Sequence, residues 1–493
     1  MSPARSAPNG PAADTSKGAT PGASPSQGSA GNAAGPGTTA AGSGATASGG
    51  ALTAGTSSAA PGATHPMGAA SQWTMIAYDE AGTHNNTAET VLTRDNAASL
   101  SMLWQVDMGT NVYGAPLMVG DKIYASGGSV RAFDAESGMQ LWMATVRSTG
   151  SMAYDDGVLY VYTSTPDMVA LDAATGMQLW KAVPKNNPGG DGLASPIVAG
   201  DMVYIGGSHG SDEIAGGSFR GYLAAFQKKT GDNVWTQFIA PEGGSGACLW
   251  NSVAVDRSAN RIYLATANDH HEPASDISDA FVGMALDNHE ILWKNQRTMG
   301  DTWNAGAIGA GGPPDADFAA SPVLYETMVN GVMTKVISSG QKHGAAHAVR
   351  ADDGMLLWTR QVCTGPNTFD GQMGIFTNGA WSGKLMLYAC NDGAGKGTMF
   401  GFDGATGDMV WTTPLNGSVW GRMSVANGVG FVGAGTELLV FDTDTGKIIK
   451  TVASMGGTVA GTPTIANGRV GFGEGLSWAS GVAGRTLTIL KVK

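Results

Sequence analysis

The sequence predicts an all-β fold, a closed ring of eight four-stranded blades, because one hairpin motif repeats along most of the chain. In its clearest copy, VRAFDAESGMQLW at 130–142, an alternating apolar run leads to an Asp, a turn and a second apolar run that ends in Trp. Alternation with a period of two is typical of a half-buried strand, and Asp with Gly favours a tight turn. Further copies begin at Val169, Leu223, Gly283, Ala348, Phe400 and Leu439.

A second alternating hairpin precedes each of these seven copies, and an eighth follows the last copy, so that one repeating unit contains four strands. These hairpins lie at 118–126, 153–164, 197–207, 253–267, 322–340, 378–390, 425–435 and 465–475. The spacing of the first two motifs, from Gly138 to Gly176, is close to the roughly 40–50 residues that one propeller blade requires. The repeat therefore predicts an eight-bladed β-propeller.

The two ends of the repeat each lack a partner strand. Residues 103–106 (LWQV) have the form of a Trp-bearing outer strand with no strand before it, and residues 485–493 (RTLTILKVK) lack a Trp-bearing partner. We expect these two segments to pair and to complete the eighth blade. Ring closure of this kind hides sheet edges that would otherwise promote aggregation.

The chain divides into a low-complexity segment, residues 1–70, and the propeller, residues 71–493, with a lead-in at 71–100 and blades from 101. The first segment is almost entirely Ala, Gly, Ser, Pro and Thr, a composition that predicts a disordered tether. It contains neither the apolar core of a signal peptide nor an apolar run long enough for a transmembrane helix. The composition favours a periplasmic or extracellular envelope protein, for which this segment could serve as a membrane tether.

Charge and cysteine content argue against a nucleic-acid partner, a c-type haem and a zinc ribbon. Lys and Arg total 28 against 40 Asp and Glu, for a net charge of −12, so no nucleic-acid partner is predicted. None of the three cysteines lies in a CxxCH or CxxC motif, which predicts no c-type haem and no zinc ribbon. Cys363 and Cys390 form either a disulfide in an oxidising compartment or two buried free thiols.

The middle of the chain carries a more specific signal. A series of segments occurs in order: FRGYLAAF (219–226), SGACLWNSVAVD (245–256), RIYLATAN (261–268), GDTWN (300–304), PPDADFAASP (313–322) and SGQKHG (339–344). With the AxDxxTGxxxW repeat, this series resembles the polyvinyl-alcohol-dehydrogenase-like branch of the quinoprotein propellers, which use pyrroloquinoline quinone (PQQ).

The resemblance implies a PQQ-dependent oxidoreductase that transfers a hydride from a small or polymeric alcohol to the quinone beside Ca²⁺, with a separate electron acceptor. The repeat alone is weak evidence for catalysis, because non-catalytic scaffold propellers of the cell envelope carry it too. The alternative is therefore a binding or scaffold propeller without a cofactor.

The resemblance also implies roles for individual residues. Trp250 falls at the position of the aromatic platform for the cofactor ring, and Asn268 at that of a metal ligand. Lys342 matches the cation that contacts the quinone, and Arg220 matches an Arg-Gly motif of the family. Glu213, with Asp212 as an alternative, is nearest to the family's Glu metal ligand.

The chain departs from the family pattern at two places. The family's catalytic Asp corresponds to Asn304, whose amide cannot accept a proton, so Asp301 is the expected base. Gly216 and Gly217 replace the adjacent cysteines of many members.

Each assignment has a structural alternative. Trp250 could plug a blade, Asn268 could cap a turn, and the two cations could pair with blade-edge carboxylates. Asp315 and Asp317 are either loop caps or ligands, and the His270–Glu272 segment is interpreted as an insertion loop.

Overall fold

The computed structural model describes residues 71–493 except 149, 187, 211, 212, 214, 215, 305–314, 364–372 and 476–481. The predicted tether at 1–70 lies outside the described residues. The described strands form eight separate antiparallel sheets, which confirms the predicted all-β ring of eight blades.

Blades 1 to 4 each contain four strands in sequence order, from the innermost to the outermost. Blade 1 is β2 (Leu117–Val119), β3 (Lys122–Ala125), β4 (Val130–Asp134) and β5 (Gln140–Ala144). Blade 2 is β6 (Met152–Asp155), β7 (Val158–Tyr162), β8 (Met168–Asp172) and β9 (Gln178–Ala182). Blade 3 is β10 (Ile197–Ala199), β11 (Met202–Gly207), β12 (Tyr222–Gln227) and β13 (Asn233–Phe238). Blade 4 is β14 (Ala254–Asp256), β15 (Arg261–Ala265), β16 (Ala280–Ala285) and β17 (Ile291–Gln296).

Blades 5 to 7 continue the pattern, and blade 6 has one additional short strand. Blade 5 is β18 (Val323–Val329), β19 (Val332–Gly340), β20 (Ala345–Arg350) and β21 (Leu356–Gln361). Blade 6 is β22 (Met373–Gly374), β23 (Ala380–Trp381), β24 (Leu385–Asp392), β25 (Gly397–Asp403) and β26 (Met409–Leu415). Blade 7 is β27 (Ser424–Ala426), β28 (Val429–Ala434), β29 (Glu437–Asp442) and β30 (Ile448–Ala453).

Blade 8 is built from both ends of the propeller. It consists of β31 (Thr464–Ala466), β32 (Arg469–Gly473), β33 (Thr486–Lys491) and, as its outermost strand, β1 (Ser101–Asp107). β1 pairs with β33 over its whole length, from Ser101 opposite Lys491 to Asp107 opposite Thr486. The predicted closure of the ring is thereby confirmed.

The Trp of each outer strand packs against the turn of the next blade. In blade 1, Trp142 Nε1 donates a hydrogen bond of 3.1 Å to the carbonyl of Ala173 in blade 2. Its indole also covers Gly176 so closely that a Cβ at this glycine would lie 2.5 Å from the ring. The same contact joins Trp104 to Gly138, Trp180 to Gly231, Trp293 to Gly354, Trp358 to Gly407 and Trp411 to Gly446.

These turn glycines therefore have two functions that no other residue combines. Gly176 has a φ of +74°, the left-handed region that favours glycine, and it leaves room for the indole of the preceding blade. In blade 4 the glycine is replaced by His289, which also has a positive φ of 63°. Trp235 of blade 3 stacks on its imidazole, with ring centroids 4.0 Å apart.

The lead-in crosses the innermost strands around the ring. Its backbone hydrogen-bonds to one residue in the inner strand of each of six blades, namely Met118, Tyr154, Val255, Leu324, Trp381 and Val425. The amide of Asn86 adds a bond of 2.6 Å to Ile465 in blade 8. Trp73, Ile76 and His84 are fully buried there. The lead-in thus occupies one end of the ring.

Helical structure is scarce, as expected. The 3-10 helix Ala97–Ser99 precedes β1, and no helix among the described residues has the length and apolarity to cross a membrane.

We predict that Gly176→Ala destabilises the propeller more than Gly157→Ala does. Both glycines have a positive φ, but a Cβ at position 157 meets no atom within 4 Å, whereas at position 176 it collides with Trp142. The left-handed backbone alone costs about 1–2 kcal/mol, and the displaced indole adds about 1–3 kcal/mol of overpacking. Urea unfolding of the two variants measures the difference, and equal losses would show that the Trp–Gly contact contributes no stability.

Candidate functional site

The residues singled out from the sequence lie in loops at the end of the ring opposite the lead-in. Trp250 lies four residues before the first residue of β14 (Ala254–Asp256), whereas the lead-in bonds to Val255 within that strand. The other site residues belong to connections that emerge at the same end as Trp250: Glu213 between β11 and β12, Asn268 between β15 and β16, Asp301, Asp315 and Asp317 between β17 and β18, and Lys342 between β19 and β20.

Lys342 is the centre of this site. Its Nζ lies 3.0 and 3.2 Å from the two carboxylate oxygens of Asp315 and 2.8 Å from Oδ1 of Asp317. Burial opposes the charge on Lys342, but attraction to the two carboxylates outweighs it and holds the pKa of Lys342 well above its usual value. The ammonium is therefore permanently charged.

Trp250 is joined to the same group of charges. Its indole Nε1 donates a 2.8 Å hydrogen bond to Asp317 Oδ2, and the Lys342 Nζ lies 5.3 Å from the centre of its ring. This bond fixes the orientation of the indole, and the cation adds a further attraction to its face. An oriented aromatic face beside a buried ammonium is what a flat, anionic cofactor ring requires.

Asn268 presents an unused acceptor. Its Nδ2 donates to the carbonyl oxygens of Asp269 and Trp303 at 2.8 and 2.9 Å. Its Oδ1 is buried and has no hydrogen-bond partner among the described residues. Leaving such an acceptor unsatisfied costs about 1–3 kcal/mol, so this oxygen suits a ligand that the protein itself does not supply, such as a hard cation.

Negative charge is in excess around Lys342. Burial raises the pKa of Glu213 to about 7, with Lys342 opposing the shift and nearby Asp317 and Asp301 adding to it. Burial also raises the pKa of Asp315 despite its pairing with Lys342. A single ammonium cannot neutralise these carboxylates, which must be protonated or bind a cation.

Asp279 is a further buried carboxylate near this group, and the sequence analysis did not select it. It is fully buried, and both of its oxygens lack a partner among the described residues. Burial, with Asp301 and Asp317 nearby, holds its pKa well above the usual range. Its side chain is therefore a neutral acid in the absence of a cation.

Asp301, the predicted base, has both carboxylate oxygens engaged. Oδ1 accepts the backbone N–H of Trp303 and Oδ2 that of Ala316, each at 2.9 Å. These bonds stabilise the charged form, but burial dominates and raises the pKa of Asp301 to about 6. Asp301 thus holds the loop that carries Asp315 and Asp317, and it retains a pKa compatible with proton transfer near neutral pH.

Arg220 and Asn304 have other partners in the structure. The guanidinium of Arg220 donates to the carbonyl of Ala240 at 3.0 and 2.5 Å and lies over Phe238, 4.5 Å from the ring centre. These contacts hold it against the wall of blade 3, so its role towards a quinone stays a prediction. Asn304 donates to the carbonyl of His270 at 3.0 Å, and Asp212, the alternative to Glu213, lies outside the described residues.

Asp315 and Asp317 could be either loop caps or ligands from the sequence, which gave them no place in the predicted site. The signal was present in the P-D-A-D-F segment, because two acids spaced by one residue before a strand can face a common cation. That cation, Lys342, is distant in sequence, and only the packing of blades 4 and 5 shows the pairing.

The arrangement fits a quinone and a hard metal ion. Trp250 offers the ring face, Lys342 a cation, and Asn268 with Glu213 oxygen ligands. Among the described residues, no three His, Cys, Asp or Glu side chains converge to hold a metal unaided. A cation here would therefore need the Asn268 oxygen together with oxygens of a bound cofactor.

Comparisons with known proteins concern the repeat and the fold. A family model described as outer membrane protein assembly factor BamB matches residues 126–269 and 395–486. Over these residues the chain is similar to the PQQ-repeat propellers. The chain is 27% identical to a polyvinylalcohol dehydrogenase of Pseudomonas sp over 393 residues, which cover 69% of this chain and 55% of that protein.

Two further relatives extend the comparison. A polyvinylalcohol dehydrogenase of Sphingopyxis sp. (strain 113P3) is 26% identical over 414 residues, or 72% of this chain and 57% of its own length. The structure of quinohemoprotein alcohol dehydrogenase ADHIIG from Pseudomonas putida HK5 matches with a TM-score of 0.71 at 17% identity, covering 86% of this chain and 80% of that one. The resemblance predicted from the sequence is confirmed, although the chain spans little more than half the length of the curated relatives.

We predict that Lys342→Met costs more stability at pH 8 than at pH 5. Removing the ammonium leaves Asp315 and Asp317 buried without a counter-ion, which costs about 3–5 kcal/mol when they are ionised. At pH 5 protonation of Asp315, whose pKa burial raises, relieves part of this loss. Urea unfolding at the two pH values measures the loss of stability.

Lys335→Met is the control, because Lys335 is a partly exposed ammonium paired with Asp256. A loss for Lys342→Met that did not depend on pH would contradict the assignment.

We predict that Ca²⁺ added together with PQQ raises the melting temperature above that with PQQ alone, and that it does so more at pH 8 than at pH 5. At pH 5 the carboxyls of Glu213 and Asp301, with pKa values of about 7 and 6, are mostly protonated. Protons then compete with the metal ion for the carboxylate oxygens. A concentration of 100 times Kd adds about 2.7 kcal/mol, equivalent to a shift of several degrees.

Differential scanning fluorimetry of Asn268→Leu should show a lost or strongly reduced shift. The matched control is Asn391→Leu, which removes a buried amide whose oxygen is already bonded to Val419. The control should lower the melting temperature and keep the Ca²⁺ response. An unchanged response in Asn268→Leu would remove Asn268 from the cation site.

Proposed function

We propose that this protein is a PQQ-dependent alcohol dehydrogenase. The observation that carries the proposal is the assembly of Trp250, Lys342, Asp315 and Asp317, which lies at one end of the ring beside the free oxygen of Asn268. A binding scaffold has no need for an oriented indole and a buried ammonium at this place. The non-catalytic alternative therefore gains no support from the site.

In this proposal the face of Trp250 and the ammonium of Lys342 hold PQQ, while Asn268 and Glu213 hold Ca²⁺. Arg220 is a further predicted contact to the quinone oxygens. When bound, PQQ with its metal ion accepts a hydride from the carbon that carries the alcohol. The role of the protein is to orient the alcohol, exclude water and accept the hydroxyl proton.

Two carboxylates are candidates for the proton acceptor. Asp301, the base expected from the sequence, has a pKa near 6 but uses both oxygens to hold backbone N–H groups. Both oxygens of Asp315 accept hydrogen bonds from the Lys342 ammonium. Unlike Asp301, Asp315 therefore contacts a side chain that lies beside the proposed cofactor position. We favour Asp315 as the base and Asp301 as the residue that positions its loop.

The substrate class follows from the relatives. Two of them are named polyvinylalcohol dehydrogenases, which supports an alcohol substrate, small or polymeric. Electrons would pass to a separate acceptor. A periplasmic or extracellular location is part of the proposal and is supported by the disulfide between Cys363 and Cys390, and the predicted tether would hold the protein at the envelope.

The test is reconstitution with PQQ and Ca²⁺, followed by desalting and a dye-linked assay with secondary alcohols. We expect retained quinone absorbance and turnover whose kcat rises with pH as the base loses its proton. Asp315→Asn should reduce kcat by roughly 10²–10⁴-fold with the quinone still bound. Asp301→Asn should have a smaller effect if it only positions the loop, and a larger effect would make Asp301 the base. Absence of quinone after desalting would refute the enzyme.

A further inference from the structure

The turn that carries Lys342 is enclosed by two segments of chain that follow it in sequence. Lys342 N donates to the carbonyl of Asp317 at 3.0 Å, which holds the turn from the side of blade 4. On the side of blade 6 the turn meets Cys363 and Gly374. Both residues contact the backbone of the turn at very short range, so the backbone of the turn is fixed by Cys363 and Gly374.

Glycines make these approaches geometrically feasible. A Cβ on Gly344 would lie 2.1 Å from the carbonyl oxygen of Cys363, and one on Gly374 would lie 1.6 Å from the carbonyl oxygen of Lys342. Val362 N also donates to the carbonyl of Gly344 at 2.9 Å. The position of the Lys342 backbone therefore depends on where Cys363 and Gly374 are held.

Both supporting segments are attached to one strand, β24. Gly374 pairs with Asn391 of β24, and Cys363 is joined by a disulfide to Cys390 of the same strand, with Cα atoms 6.4 Å apart. Cys390 is buried beside Ile375 and Tyr388 in the core of blades 5 and 6. The disulfide is thus the covalent connection between this core and the segment that supports the Lys342 turn.

We infer that the Cys363–Cys390 disulfide is a positioning element for Lys342, and that its absence weakens quinone binding by displacing the ammonium. The inference rests on the proposed function, because it concerns how the chain places a cofactor contact. Without the disulfide, residues 361–363 are held only by hydrogen bonds and by the packing of Val362 on the core of blades 5 and 6. The ammonium then loses its fixed position beside Asp315, Asp317 and Trp250. Residues that orient a ligand in this indirect way contribute roughly 10–100-fold to affinity.

The first experiment compares the full-length wild type with Cys363→Ala/Cys390→Ala. We expect the Kd for PQQ at saturating Ca²⁺ to rise by roughly 10-fold or more. The same pair of substitutions is then made in the Lys342→Met background, where the disulfide should have little further effect on the Kd, because the group that it positions is absent. Equal losses in both backgrounds would reduce the disulfide to a general stabiliser and overturn the inference.

A second measurement separates this inference from the proposed function. Hydrogen exchange of cofactor-free protein, before and after mild reduction of the folded chain, reports on the turn directly. We expect faster exchange at Gly344 and Val362 after reduction and unchanged exchange in blade 1. Unchanged exchange at both sites would refute the positioning role whether or not PQQ binds. Failure of the wild type to bind PQQ would refute the proposed function but leave the exchange result valid. Reduction of folded protein also avoids any failure of the double variant to fold.

Discussion

The contact between a tryptophan and the turn glycine of the next blade is the constraint on which the ring depends. Each indole fills the space above a glycine and donates to a carbonyl in the same turn, as Trp142 does to Ala173. The tryptophan thus provides a hydrophobic contact and a hydrogen bond, and both depend on the backbone conformation of the glycine. Seven of the eight blades supply an indole to the next blade, and blade 7 does not, because its outer strand Ile448–Ala453 carries no Trp. The geometry of the ring is therefore set largely by a local motif. The closing strand β1 contributes Trp104 to blade 1 in the same way.

This locality explains why the architecture could be predicted from the sequence. Alternation, turn residues and the terminal Trp lie within a dozen positions of one another, so the hairpins and their number could be determined without knowledge of distant contacts. The exception in blade 4 is also a local feature, since its turn has His289 where the other turns have glycine. The role of the glycine as a platform was not visible, because the indole that covers it comes from another blade.

The site was less predictable, because it depends on distant segments. The resemblance to quinoproteins indicated Trp250, Asn268 and Lys342, and the structure places Lys342 at the indole of Trp250. The resemblance did not indicate that Lys342 pairs with Asp315 and Asp317. Nor did it indicate that the oxygens of Asp301 accept backbone N–H groups. Spacing in a sequence predicts turns and strands, whereas the partner of a buried charge is decided by which loops emerge at the same end of the ring. The buried Asp279 shows the same limit, since a fully buried acid cannot be distinguished from a turn residue by its neighbours in sequence.

The lead-in has a consequence for the order of events in catalysis. It fills the end of the ring opposite Trp250, with Trp73, Ile76 and His84 fully buried beneath the inner strands. A reducing substrate and an electron acceptor would then have to reach the cofactor through the same opening. They could not occupy it together if the acceptor is a protein. An enzyme built on this ring would therefore work by a ping-pong cycle, in which the oxidised product leaves before the acceptor docks.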